Sequence, residues 1–248
     1  VSELSTKIYY YSSLKSGILV SRYKRFFADI ELTDGSLVTA HCPNTGPMTG
    51  VCEVGRPVLV SYNPSPRRKL AYTWEAININ GTWVGVNTSL PNRVVKILLE
   101  NRTIGELDGY ETVRSEVPYG EGNGSRIDFL LTSGDLPAAT LCERPIYLEV
   151  KNTTLAAGTV AMFPDTESTR GQKHLEELMA VMPASRAVML YFINRSDCTH
   201  FAPGKSADRR YTELLQLAIQ QGLEVLPCRF DVSAEGISYL GLADLSIE

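Results

Sequence analysis

Three ionisable residues stand at a spacing that matters for chemistry: Asp128 in one apolar run, and Glu149 and Lys151, two apart, in the next. In an extended strand, residues 149 and 151 project from the same face, so a carboxylate and an ammonium point together and Asp128 on a neighbouring strand can join them. Two carboxylates suit Mg²⁺ or Mn²⁺, hard cations that take oxygen ligands and keep several waters. A lysine beside them can orient a water or neutralise a crowded phosphate. The same spacing also fits a cross-strand ion pair in which Lys151 satisfies a carboxylate.

Downstream, Arg170, Lys173, His174 and Glu177 fall at i, i+3, i+4 and i+7. They form one helical stripe turned away from the apolar stripe of Leu175, Leu178, Met179 and Met182. Three groups able to contact phosphate then share a face, and Arg170, near the helix start, can approach a ligand at the strand ends. A solvated helix surface with a Lys173/Glu177 pair is the plainer alternative. Earlier in the chain two basic runs are mixed with aromatics: Arg22, Lys24 and Arg25 before Phe26 and Phe27, and Arg67, Arg68 and Lys69 before Tyr72 and Trp74. That is the composition of a surface that tracks a single nucleic-acid strand. Aromatics filling a barrel while the cations face solvent fits equally. The segment His41-Cys42-Pro43-Asn44-Thr45-Gly46 is too sparse in ligands for zinc, with only His174 and His200 elsewhere, and it lacks an orienting partner for a Cys-His nucleophile. A conformationally demanding turn is expected there.

The elements that must carry these residues differ between the two halves. Residues 17–88 hold short strand-like runs, Gly17–Ser21, Arg25–Ile30, Leu37–His41, Pro57–Ser61, Leu70–Trp74 and Trp83–Val86, separated by Asp34-Gly35, Pro43–Gly46 and Asn63–Pro66. A five-stranded barrel of the oligonucleotide/oligosaccharide-binding (OB) type fits them, and a small sandwich nearly as well. From Leu90 the spacing of Val94, Val95, Leu98 and Leu99 turns helical, with Pro91 suited to the first turn. The domain boundary is therefore expected near Ser89, giving units 1–88 and 89–248. Three strand-like runs follow, Thr112–Val117, Ile127–Leu131 and Ile146–Lys151. A long connection over 152–167 then leads to a helix over 168–182. Ala187–Ile193 is continuously apolar, as a strand buried on both faces should be. A helix bearing Tyr211, Leu214, Leu215 and Ala218 and a strand at Leu223–Leu226 complete an α/β domain in which a helix crosses over between parallel strands.

The chain has 248 residues, 44% hydrophobic and 21% charged, which fits one or two globular domains and excludes disordered and fibrous classes. A net charge of -4 rules out a protein that coats nucleic acid by overall field, so a polyanion must meet a local patch. Five scattered cysteines without a CxxC pair argue for a reducing compartment rather than a disulfide scaffold. Asn-x-Ser/Thr triplets begin at Asn80, Asn87, Asn101, Asn123, Asn152 and Asn194, and chance occurrence explains them better than glycosylation. No apolar run reaches the roughly 18 residues of a membrane span, and no secretory leader is expected, while Val1 as first residue leaves room for a removed transit peptide.

Several of these runs line up with one family. Arg25-Phe26-Phe27-Ala28-Asp29, the His41–Gly46 loop with Met48, Ser125-Arg126-Ile127-Asp128-Phe129, Glu149-Val150-Lys151-Asn152, Phe163-Pro164-Asp165 and Thr169–Leu175 together resemble the sugar fermentation stimulation protein (SfsA) family, in its order and over nearly the whole chain. The resemblance implies an N-terminal OB-like barrel joined to an α/β domain like the PD-(D/E)xK nucleases. It also implies DNA binding (with RNA an alternative) and a role in regulating sugar or maltose metabolism. The cysteine usage and the lack of a membrane span lead to an expected cytoplasmic location without membrane contact, with nucleoid association or an organelle as alternatives. By that likeness Asp128 and Glu149 are the metal carboxylates and Lys151 the catalytic lysine. One departure stands out: nucleases of this type often add a glutamate from the first helix of the domain, where this chain has Lys96 and Ile97, with Glu100 one turn on. The expected function is a DNA-binding protein with a nuclease-like, Mg²⁺-dependent domain. The alternatives are a non-catalytic DNA binder and a sensor of a sugar phosphate or other metabolite at the Asp128/Glu149/Lys151 pocket.

Overall fold

The computed structural model describes residues 6–120, 124–133 and 144–247, so the triplet at Asn123 and Cys142 lie outside the described residues. Seven strands make up the first part of the chain: β1 (Lys7–Tyr10), β2 (Leu14–Tyr23), β3 (Phe27–Leu32), β4 (Leu37–His41), β5 (Pro57–Tyr62), β6 (Tyr72–Ile79) and β7 (Thr82–Gly85). β2 pairs antiparallel with β3 and β5, β3 with β4, and β5 with β6. A short parallel pairing of β4 with β6, Ala40↔Tyr72 and His41↔Thr73, closes the ring into the expected five-stranded OB barrel. β7 hangs on β6 through a hairpin whose two turn residues, Asn80 and Gly81, both have positive φ, the geometry that matches strand twist in a two-residue turn. Leu19, Ile30, Val58, Val60, Trp74 and Ile77 fill the barrel. Closure needs a sharp crossing at Gly17, where a Cβ would lie 2.6 Å from the Glu31 carbonyl oxygen.

Two barrel strands start later than the sequence expectation. Lys24 and Arg25 take positive φ and form, with Phe26, the turn before β3, so the strand begins at Phe27. Leu70 and Ala71 belong to the loop ahead of β6, which instead runs on to Ile79.

The second part contains α1 (Leu90–Glu100), β8 (Thr112–Tyr119), β9 (Ser125–Thr132), β10 (Ile146–Thr153), β11 (Leu155–Ala157), β12 (Val160–Phe163), α2 (Thr169–Val181) and β13 (Arg186–Ile193). It continues with β14 (His200–Pro203), α3 (Arg209–Gln220), β15 (Glu224–Val232), β16 (Gly236–Leu242) and β17 (Asp244–Leu245). Its main sheet has the order β1-β16-β15-β13-β10-β9-β8, with β10, β13 and β15 parallel at the centre. β13 shows why a continuous apolar run was needed there. Val188, Leu190 and Phe192 pack on the α1 side with Val94 and Leu98, whereas Met189, Tyr191 and Ile193 pack on the other side with Leu175 and Leu178 of α2 and Leu214 of α3. The expected long connection after β10 is an ordered hairpin, β11–β12, which joins β14 and β17 in a small second sheet. Three-residue and four-residue strands are too short to show a period in sequence.

β1 departs from the expected 1–88 unit, because it pairs with β16 of the main sheet rather than with the barrel. The halves are also packed together: Leu59 and Ala76 of the barrel share a core cluster with Val94, Leu98 and Phe230. Gly85 forms part of the joint, its N–H donating to the Asn194 carbonyl at 2.9 Å. Among the described residues no helix is long and apolar enough to cross a membrane. Cys42, Cys52, Cys198 and Cys228 are free thiols.

Candidate metal and phosphate site

β9 and β10 pair from Ile146↔Leu131 to Leu148↔Phe129, and at the end of that ladder the Asp128 side chain takes over from the backbone. Its Oδ2 accepts from the Val150 N–H at 2.8 Å, and its Oδ1 accepts from Asn92 Nδ2 of α1 at 2.7 Å. One residue along β10, Glu149 is 2% exposed. Its Oε1 accepts from Lys151 Nζ at 2.8 Å and from His174 Nδ1 of α2, while its buried Oε2 has no partner among the described residues. Strand alternation thus delivers Glu149 and Lys151 to one face, and the antiparallel neighbour brings Asp128 alongside, as the spacing implies.

The hydrogen bonds around the histidine select one tautomer. Arg170 Nε donates to His174 Nε2 at 3.3 Å, so Nε2 is an acceptor and the ring proton sits on Nδ1, where it is given to Glu149. The 3.0 Å approach of Lys151 Nζ to Nδ1 then joins two donors that converge on one carboxylate oxygen. Burial by itself would raise the Glu149 carboxyl, but the Lys151 ammonium and the His174 hydrogen bond outweigh it and hold the group below the usual carboxylate range. Asp128 goes the other way. Burial first, then the neighbouring Glu149 charge, push it up to about 6 against the donors from Val150 and Asn92.

The stripe on α2 divides between the two readings of the sequence. His174, 4% exposed, is turned onto β10, whereas Arg170 and Lys173 remain exposed. Ser168 caps the helix by accepting from Gly171 N–H, and Asp208 accepts from Ser168 N–H and from Gln172, which ties the helix start to that of α3. Lys173 and Glu177 both reach Ser125 at the start of β9, and they pair with each other at 3.4 Å. Arg170, Lys173, Arg126 and Ser125 line, with Asp128, an open cleft of about 460 Å³. The expected Lys173/Glu177 pair is present, and Lys173 also lines this cleft.

The first helix presents an amide, not a carboxylate, to Asp128. Asn92 touches Asp128, while Lys96 and Glu100 pair with each other at 3.7 Å on the exposed side of α1. Among the described residues no group of three His, Cys, Asp or Glu side chains converges as a ready-made metal cage. The donor set does suit a hard cation that keeps most of its waters: two carboxylates, one with an oxygen that nothing else satisfies.

The barrel cations divide. Arg22 is spent on structure, its guanidinium donating to the carbonyls of Asn44 and Gly46 at 2.9 Å each and so holding the His41–Met48 loop. Lys24, Arg25 and Phe26 stand exposed at the β2–β3 turn beside the stacked rings of Tyr23 and Phe27. Arg67 is exposed, and Arg68 donates to Thr73 Oγ1 at the edge of a separate cleft on the barrel. Sequence reasoning passed over Asn92, Glu75 and Arg93. The one signal for Glu75 was a lone charge inside the apolar strand Trp74-Glu75-Ala76-Ile77.

Two family models match the chain: the SfsA N-terminal OB domain over residues 20–86, and the sugar fermentation stimulation protein RE domain over residues 89–236. Curated relatives include sugar fermentation stimulation protein homologs of Rippkaea orientalis, 59% identical over 97% of both chains, and of Synechocystis sp., 60% identical over 97% of this chain and 99% of the relative. The fold is similar to the solved structure of Pyrococcus furiosus SfsA in complex with Ca²⁺, with a TM-score of 0.84, 25% identity, and coverage of 98% of this chain and 100% of the other.

Proposed function

The chain belongs to the sugar fermentation stimulation protein family, and from that premise we propose that it binds DNA and hydrolyses phosphodiester bonds in a Mg²⁺- or Mn²⁺-dependent reaction at Asp128, Glu149 and Lys151. The observation that carries this reading is the buried Glu149, held anionic by Lys151 and His174 yet keeping one oxygen without a partner among the described residues, with Asp128 raised beside it by burial and then by the Glu149 charge. The related Pyrococcus furiosus protein was solved with Ca²⁺, another hard, oxygen-seeking cation, which supports it.

Asp128 and Glu149 are the residues that would hold the ion, which when bound polarises a phosphoryl oxygen and lowers the pKa of a coordinated water. Lys151 places an ammonium next to Glu149, where it can stabilise charge developing on the phosphate. His174 orients Glu149, Arg170 fixes the imidazole tautomer, and Lys173 and Arg126 offer contacts to flanking phosphates along the cleft. Lys24 and Arg25, with Phe26, give the barrel a basic and aromatic surface for the strand. One observation favours a non-catalytic DNA binder, namely that α1 contributes the Asn92 amide and not a carboxylate. A link to sugar metabolism follows from the family's name alone, and four free thiols fit a reducing, cytoplasmic setting.

The deciding experiment incubates the protein with single- and double-stranded DNA and with RNA in Mg²⁺, Mn²⁺ or EDTA. Cutting in either metal and none in EDTA is expected. Salt-sensitive binding without cutting in any metal selects the non-catalytic reading, and neither binding nor cutting overturns both.

A further inference from the structure

The cleft between the barrel and α1, about 550 Å³, holds a set of groups that the acidic site does not use. Its floor is Glu75 of β6, a carboxylate 5% exposed. Oε1 accepts from Ser61 Oγ at 2.6 Å and Oε2 from Asn87 Nδ2 at 2.7 Å. The Asn87 amide cannot be reversed, because its Oδ1 already accepts from both the backbone N–H and the hydroxyl of Ser89. Glu75 is thereby held as an acceptor, and each oxygen keeps a lone pair for one further donor. Close by, Tyr11 lines the same cleft with a buried hydroxyl that has no partner among the described residues. A buried hydroxyl and a buried carboxylate left with spare capacity mark a place built to meet polar groups that the chain does not itself supply.

The rest of the cleft has a different character. Tyr9 and Tyr62 line it, the Tyr62 ring packing against Tyr72, and its edge carries Arg68, anchored on Thr73, and Arg93 of α1, which is exposed. Both guanidiniums act on Glu75 through their charge without forming an ion pair with it. An acceptor at the floor asks for an N–H or O–H donor, aromatic walls ask for a flat ring, and two arginines at the rim ask for a phosphate. A nucleotide with an amino-bearing base presents all three in that order.

We propose that this cleft binds a nucleotide unit, with the amino edge of its base at Glu75, the base against Tyr9 and Tyr62, and its phosphate at Arg68 and Arg93. The site uses none of Asp128, Glu149 or Lys151 and does not rest on the cleavage reading. α1 borders both places, since Asn92 holds Asp128 and the next residue, Arg93, faces the cleft.

Calorimetric titration of the full chain in EDTA, which silences the acidic site, tests it with AMP, CMP, GMP, UMP, glucose 6-phosphate, inorganic phosphate and a short single-stranded oligo-dA. AMP, CMP and GMP should bind saturably and at least about tenfold more tightly than UMP, which has no amino group and offers Glu75 a single N3–H flanked by two repelling carbonyl oxygens, and than the two phosphates without a base. Arg93→Ala, a change at an exposed residue, should weaken binding about tenfold, and Glu75→Gln should erase the preference for CMP over UMP. Free AMP binding assigns the unit to a mononucleotide, whereas oligo-dA binding without AMP binding, still lost in Arg93→Ala, assigns it to a strand. No saturable binding of either, binding unchanged in Arg93→Ala, or glucose 6-phosphate bound as well as CMP overturns the proposal. The Arg93 variant decides the matter even if Glu75→Gln fails to fold.

Discussion

Glu149 and Glu75 are both strand residues, 2% and 5% exposed, yet their carboxyls are displaced in opposite directions. Burial raises both. At Glu149 an ammonium and an imidazole N–H sit at hydrogen-bond distance and more than cancel that rise. At Glu75 the close partners are the neutral donors Ser61 and Asn87, and the positive charges of Arg93 and Arg68 act from further away, so desolvation wins. Neutral donors satisfy a buried carboxylate without repaying its lost hydration, whereas a full charge in contact does repay it. The first arrangement keeps an anion ready for a cation, and the second keeps an acceptor ready for a donor.

The contrast breaks hardest at Lys151. Lys151→Ala should lower metal-dependent cleavage at least about 100-fold. It should also cost roughly 3 kcal/mol in urea unfolding, since Glu149 is left buried without its cation. A variant that cuts and unfolds like the parent would erase the distinction between the two glutamates. Next in size is the joint between the barrel and the main sheet. In Gly85→Ala the new Cβ would be 2.1 Å from Asn194 Oδ1, and a loss of about 2 kcal/mol is expected from the forced shift. Unchanged thermal unfolding of that variant would mean the joint yields freely.

A smaller effect separates the barrel cations. Arg22→Ala should cost about 1–2 kcal/mol by releasing the Asn44 and Gly46 carbonyls, with the salt dependence of DNA binding unaltered. Lys24→Ala should leave stability within about 0.5 kcal/mol and reduce the slope of log affinity against log salt by about 1. Equal slopes in the two variants would return Arg22 to the phosphate-contacting set. The smallest effect is a pH slope. With the folded Glu75 carboxyl above its ordinary 4.5, the native state holds the proton more tightly than the unfolded chain. Stability from this group is then fully present below the ordinary value and is lost as pH rises through the raised one. Glu75→Gln should remove that decline, visible as urea midpoints of parent and variant that diverge with rising pH, and parallel curves would contradict the raised carboxyl.

Local pattern carried much of the architecture. Alternation put Glu149 and Lys151 on one face, the 3.6-residue period marked α1, α2 and α3, and the unbroken apolar run at β13 announced a strand with cover on both sides. These are properties of a few consecutive residues, and the chain's own geometry converts them directly into direction and burial. Short strands escaped, β11, β12 and β14 among them, because three or four residues show no period. The family likeness, carried by linked motifs such as Glu149–Asn152 and Thr169–Leu175, was legible for the same reason: it is written in residue types and order.

Tertiary structure alone decided what those residues meet. His174 looked like one more cation on a helix surface until the crossover laid α2 on the strands and turned its imidazole onto Glu149. Asn92 gained its role from the packing of α1 beside β9, thirty-six residues away in sequence. β1 left the barrel for the main sheet because pairing with β16 satisfies its backbone there. The cleft around Glu75 draws on β1 and the loop after it, β5, β6 and α1, and no local signal brings those segments together. Type and spacing specify which groups the chain offers, while distance between groups far apart in sequence, and the dielectric around them, exist only once the core has closed.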